Sequence, residues 1–134
     1  MRERVELYFE QQLAFNAQLA RVAVVHDNLV VLDLRGEETI HAGNRFMIYA
    51  QFPQCDLSMH VMWGRERMNT VYTVGKSIFG GRSKIAVGDL MLRHSGGGHS
   101  AAGTCQGPNE TAEVLKQTLI QQLLGLSRRQ AVAA

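Results

Sequence analysis

Residues 57–63, "LSMHVMW", alternate: Leu57, Met59, Val61 and Trp63 fall on one side, Ser58, His60 and Met62 on the other. Strand side chains point to opposite faces in turn, so this run predicts a strand with a drier and a wetter face. "GRER" then turns the chain, and "MNTVYTVGK" supplies a second strand, antiparallel to the first. A strand pair with one dry face must be covered by amphipathic elements, which restricts the chain to a layered fold.

The same pattern extends the sheet in both directions. Upstream, "RVAVV" and "LVVLDL" flank His26, Asp27 and Asn28, a set suited to a short hairpin loop. Downstream, "SAAGTCQ" reads as a strand of small residues. The covering layers come from helical periodicity. Val5, Phe9, Leu13 and Ala17 recur every four residues, with Tyr8, Phe15 and Leu19 widening the stripe, and predict a leading helix over 1–21. "GNRFMIYAQFP" alternates like a strand, yet Asn44 as a cap and Pro53 as a stop favour a helix. "KIAVGDLMLRH" predicts a short helix with Val87, Leu90 and Met91 on one face. After Pro108 and Asn109, Ala112, Leu115, Leu119, Leu123 and Leu126 mark a closing helix, followed by a frayed tail over 129–134. The expectation is one α/β domain over 1–134, with its body at 22–128 and a mixed central sheet of about five strands with helices on both faces.

Charge narrows the function. Fourteen Lys and Arg against twelve Asp and Glu leave a net charge of +2, so an anion site must be local and a non-specific nucleic-acid binder is disfavoured. Cys55 and Cys105 match no zinc spacing, and no apolar run approaches a membrane span. A reduced, cytoplasmic protein without membrane contact is expected.

The stretch "RHSGGGHSAAGTCQ" is where chemistry concentrates. Ending a helix needs one glycine in a left-handed conformation, and here there are three, Gly96, Gly97 and Gly98, followed by His99. Glycines let a ligand approach the backbone, and backbone amides beside an imidazole suit an anion. Ala101, Ala102 and Gly103 keep bulk away from His99. The plain alternative is a glycine connector between a helix and a strand. A second cluster, Lys76, Ser77, Arg82, Ser83 and Lys84, mixes hydroxyls and cations that suit phosphate oxygens or simply a solvated loop. Trp63 beside Arg65 and Arg67 offers a base-stacking surface or ordinary hairpin charges, and Asn44 and Arg45 a ligand contact or a helix cap. His26, His41, His60 and His94 have no partner at metal-ligand spacing, and Cys105 reads as buried filler. Scattered acids give no gathering that would hold a divalent metal.

"GGGHSAAG" resembles the glycine-rich signature of the DHH-associated C-terminal domain, the substrate-binding half of DHH-family phosphoesterases. "VVLDLR", "GNRFMIYAQFP", "WGRERMNTVYTVGKSIF" and "VGDLMLRHSGGGHSAAGTCQ" resemble, in order, the segments of exopolyphosphatase-related and oligoribonuclease-like members, across most of residues 22–106. The resemblance implies that Gly96, Gly97, Gly98 and His99 face a scissile phosphate across an interdomain cleft, with Ser77 and Arg82 as further anion contacts. It also implies an N-terminal DHH domain of the same protein holding manganese. No Asp-His-His triplet occurs in this sequence, so the chain is expected to be the recognition half, without metal or catalytic residues of its own. The expected partners are a phosphate-bearing substrate, whether short oligonucleotide, nucleotide or polyphosphate, and the DHH domain; a homodimer is possible. Two rivals remain: a stand-alone nucleic-acid-binding module similar to the domain that ends some alanyl-tRNA synthetases, and a structural or dimerising domain whose glycines only connect.

Overall fold

The computed structural model describes residues 2–41, 46–77 and 86–133. The chain opens with α1 (Arg2–Val22), continues through the hairpin β1 (Ala23–His26) and β2 (Leu29–Asp33), and crosses over by α2 (Phe46–Gln51) to β3 (Leu57–Trp63). β4 (Thr70–Lys76), α3 (Val87–Arg93), β5 (Gly97–Gly98), β6 (Ala102–Gly107) and α4 (Ala112–Ala133) complete it. The strands form one six-stranded sheet in the order β1-β2-β3-β4-β6-β5. β2 and β3 run parallel and the other pairs antiparallel, so the sheet is mixed as expected. The strand beyond the expected five is β5, two glycines of the triplet. α4 carries helical backbone to Ala133, where the sequence suggested a frayed tail.

Alternation divides the core into two layers. Leu29 and Val31 of β2 join Leu57, Met59, Val61, Tyr72, Val74 and Cys105 beneath α3 and α4, which contribute Val87, Leu90, Met91, Leu119, Ile120, Leu123 and Leu124. Val30 and Leu32, one residue out of phase, meet Phe15 and Leu19 of α1 and Ile48 of α2 on the opposite face. Tyr72 pins the first layer, its hydroxyl donating to the Ala112 carbonyl at 2.7 Å where α4 begins.

α1 differs from its sequence reading. Phe15, Gln18 and Leu19 are buried, whereas Val5, Phe9 and Leu13 are 55%, 63% and 67% exposed. At about 100° per residue, positions 15, 18, 19 and 22 share one side of a helix and 9 and 13 lie opposite. The sheet supports only the C-terminal half of α1, and the apolar stripe that looked like core faces outward. Gln18 occupies the core because its amide is satisfied: Nε2 donates to the Thr39 carbonyl at 2.7 Å and to Glu37 Oε1 at 3.1 Å, while Oε1 accepts from the His41 amide at 2.9 Å.

Candidate functional site

α3 ends in a pair of nested turns. The Gly96 amide donates to the Met91 carbonyl at 2.8 Å and the Ser95 amide to the Leu92 carbonyl at 3.1 Å, with Ser95 at φ 63°. This is the Schellman arrangement, and its left-handed position is taken by a serine. None of the three glycines ends the helix by its own conformation, so each needs another reason.

Two of them have one in the fold. A Cβ on Gly96 would lie 2.1 Å from the Thr104 carbonyl oxygen. Gly98 has φ 150°, and a Cβ there would lie 2.3 Å from the Ala102 carbonyl oxygen. Gly97 has neither constraint: its φ is outside the left-handed range and a Cβ would enter open space. Glycine in a strand weakens it, so nothing in the local packing accounts for Gly97.

The triplet is part of a tight hairpin. Gly97 pairs with Thr104 and Gly98 with Gly103, and the His99 amide donates to the Ala102 carbonyl at 2.8 Å. The amides of Gly96 and His99 are therefore engaged, where an open loop of converging amides was expected. Antiparallel pairing alternates, which turns the Gly98 amide away from β6 toward the open edge of the sheet. Residues 97–100 are exposed. The Ala101 amide donates to His99 Nδ1 at 3.2 Å, which places the proton of the neutral ring on Nε2, the nitrogen facing away from that contact. An exposed imidazole donor thus stands beside an edge amide and an unobstructed glycine.

Neighbouring elements fix the hairpin. The Val87 and Gly88 amides of α3 donate to the Ser100 and His99 carbonyls at 3.2 and 2.8 Å, and the Lys76 amide donates to the Ala101 carbonyl at 2.9 Å. Ser77 follows directly, its amide donating to the Asp56 carbonyl at 2.8 Å, so the end of β4 lies beside the hairpin tip. Arg82, Ser83, Lys84, Asn44 and Arg45 lie outside the described residues. Gly88, absent from the sequence reading, has a visible signal: a glycine inside a short helix runs against propensity and marks a close approach.

The other candidates have structural roles. Trp63 stands at the opposite end of β3 and β4 from the hairpin, paired with Thr70. Its Nε1 donates to the Arg35 carbonyl at 2.9 Å, and the Arg67 guanidinium lies 5.8 Å from the ring centroid. Nearby, Arg35 and Lys116 bond Asp33, and Arg35 also reaches Glu113, joining β2 to α4. Burial pushes the Asp33 carboxyl up, but the hydrogen bonds from Arg35 and Lys116 outweigh it and bring the pKa down to about 2. Cys105 is buried, and burial pushes its thiol up to about 11, the state of an inert filler. His94 Nε2 lies 2.7 Å from Gln122 Oε1, linking α3 to α4. Among the described residues no three of His, Cys, Asp and Glu gather as a metal site, and no helix is long and apolar enough to cross a membrane.

No family model and no curated protein matches the chain. Solved structures do. The chain is similar to a pGpG-specific phosphodiesterase, PggH, from Vibrio cholerae, at 51% identity with a TM-score of 0.89, over 92% of this chain and 42% of that one. It also shares the fold of an exopolyphosphatase-related protein from Bacteroides fragilis, at 20% identity with a TM-score of 0.62, over 87% of this chain and 36% of that one. The chain thus spans less than half the length of either protein.

Proposed function

We propose that this chain, which belongs to the DHH-associated C-terminal domains of the DHH-family phosphoesterases, grips the phosphate of a short linear dinucleotide while a partner domain performs the hydrolysis. The observation that carries the reading is Gly97, the one glycine of the triplet that the fold does not need, flanked by the edge-facing Gly98 amide and the exposed His99 imidazole. A phosphate oxygen at the open edge would accept from the Gly98 amide and from His99 Nε2, and a side chain on Gly97 would stand in its way. Ser77, beside the hairpin tip, and Arg82 are the further anion contacts in this reading.

The 51% identity to a pGpG-specific enzyme directs the choice among phosphate ligands to guanine dinucleotides. His99 acts electrostatically here, stabilising negative charge on the bound phosphate, and is not a nucleophile. The manganese implied by the resemblance does not fit the described residues of this chain, which gather no ligand set for it. The holder of that metal is the N-terminal DHH domain of the intact protein.

The test is titration of the purified chain with pGpG and with inorganic phosphate, for parent and His99→Ala. Loss of a hydrogen bond to a charged group should weaken binding by about 1 to 3 kcal/mol, roughly 5- to 150-fold, with the melting temperature unchanged. Equal affinity in parent and variant would overturn the assignment. The chain with manganese should not hydrolyse pGpG; turnover that disappears on mutation would show that it is more than a recognition domain.

A further inference from the structure

The sheet face that carries Gly97 leads to a cavity that the phosphate site does not use. Cross-strand pairing places Gly97, Thr104, Thr73, His60 and Leu32 in one row, on one face. Thr104, Thr73 and His60 are only half-buried. At Thr73 the row reaches a cavity of about 260 Å³ between the sheet and the helices α1 and α2. Phe15, Leu19 and Ile48 form its apolar wall, and His60, Met62 and Thr73 its floor. Gln18 also borders it, but its amide is already committed to Glu37, Thr39 and His41. The Thr73 hydroxyl makes no hydrogen bond among the described residues.

We infer that this cavity holds the base of a nucleotide whose phosphate sits at residues 97–99. Small-molecule sites are largely apolar with a few polar groups that fix orientation, and this cavity has that composition. Neighbouring strands lie about 4.8 Å apart, so Thr73 is roughly 10 Å and His60 roughly 14 Å from Gly97 across the sheet. That is the reach of a nucleotide from its phosphate to the far edge of its base. The half-buried Thr104 lies under the ribose, the aromatic plane slides between Met62 and the Phe15 wall, and the Thr73 hydroxyl bonds the base edge. The assignment rests on the phosphate reading above and adds a source of base selectivity that the hairpin lacks.

Methyl-labelled chain is titrated with guanosine 5′-monophosphate, ribose 5-phosphate and guanosine. The expected result is that guanosine monophosphate binds roughly tenfold or more tightly than ribose 5-phosphate, and that only the two base-bearing probes shift the Leu19 and Ile48 methyl signals. Thr73→Phe, which fills the cavity mouth with a residue at home in a strand, should abolish the difference between the two phosphates. Thr73→Val, nearly isosteric, should shrink it several-fold and guards against a folding defect. Equal binding of the two phosphates, both lost in His99→Ala, would overturn the base site and leave the phosphate reading standing. Guanosine shifting the cavity methyls without ribose 5-phosphate binding would support the base site and overturn the phosphate reading, and silence from all three probes would overturn both.

Discussion

Gly88 in the first turn of α3 lies against the backbone of Gly98: a Cβ on Gly88 would come 2.6 Å from the Gly98 carbonyl oxygen and 2.9 Å from that of His99. The Gly88 amide holds the His99 carbonyl at 2.8 Å. The helix is thus a splint that sets the height of the glycine edge. Gly88→Ala should gain a few tenths of a kcal/mol to about 1 kcal/mol of helix propensity and lose more by pushing the hairpin away, a net cost of about 1 to 3 kcal/mol. Chemical denaturation measures that cost, and phosphate titration should show affinity falling although the substituted residue never touches the ligand. Unchanged affinity would mean that the hairpin does not need this support.

The three glycines of the triplet should separate by experiment. Gly98→Ala forces a side chain onto a residue at φ 150° and against the Ala102 carbonyl, and should cost at least about 1 to 3 kcal/mol of stability. Gly97→Ala meets no atom and should leave stability within about 0.5 kcal/mol of the parent, or slightly raised through the unfolded chain. Its effect should appear in phosphate affinity, because the new methyl occupies the approach to the edge. With the left-handed position at Ser95 and the strained one at Gly98, neither packing nor backbone conformation requires a glycine at position 97, and the proposed reading gives it a role in binding alone. A Gly97→Ala chain that melts well below the parent would contradict that assignment.

What was legible in the sequence was local. The alternation of Leu57, Met59 and Val61 with Ser58, His60 and Met62 gave β3 its two faces, and the periodicity of Leu115, Leu119 and Leu123 gave α4 its packed side. What was not legible depended on partners distant in the chain. Val5, Phe9 and Leu13 form as good a stripe as Phe15 and Leu19, and which side of α1 is covered is decided by its docking on the sheet and α2, together with how far the sheet extends along the helix. The wetter face of β3 was visible, but its continuation through Thr73 and Thr104 to Gly97 is a matter of register among strands up to about forty positions apart. The Asp33, Arg35 and Lys116 cluster joins residues more than eighty positions apart and has no sequence signature.

Trp63 tests the placement of the site. It is the only tryptophan in the chain, and it is half-buried, with its indole bonded to the Arg35 carbonyl and Arg67 near its ring. Its three companions on that face, Leu57, Met59 and Val61, are fully buried, so the strand emerges from the core at its last residue. Trp63→Phe should cost about 1 kcal/mol through the lost hydrogen bond. Arg67→Ala should raise acrylamide quenching while changing stability by no more than about 1 kcal/mol. Thr70 and Gly75 mark opposite ends of β4, about 17 Å apart, so ribose 5-phosphate, which has no base to enter the cavity and stays at the hairpin, should leave the Trp63 emission nearly unchanged. Strong quenching on titration would move the ligand to the Trp63 end and restore the stacking surface as the site.

Asp33 should contribute to the acid limb of stability. Its carboxyl is 26% exposed, bonded by Arg35 at 2.6 and 2.9 Å and by Lys116 at 3.1 Å, and its pKa stands at about 2 against an ordinary 3.8. A carboxyl whose pKa is lower in the folded chain stabilises the fold above the unfolded value and loses that contribution as pH falls toward the folded one. The window is therefore about pH 4 down to 2, and the contribution about 2 kcal/mol, since each unit is worth about 1.4 kcal/mol. Asp33→Asn should remove this part of the slope while keeping the side-chain volume, at a cost near neutral pH because Arg35 and Lys116 lose their anion. Urea unfolding at pH 5, 4, 3 and 2.5 should show parent and variant converging as the pH drops. Parallel lines across that window would mean that the carboxyl titrates normally and that the Asp33–Arg35–Lys116 cluster contributes nothing to joining β2 and α4.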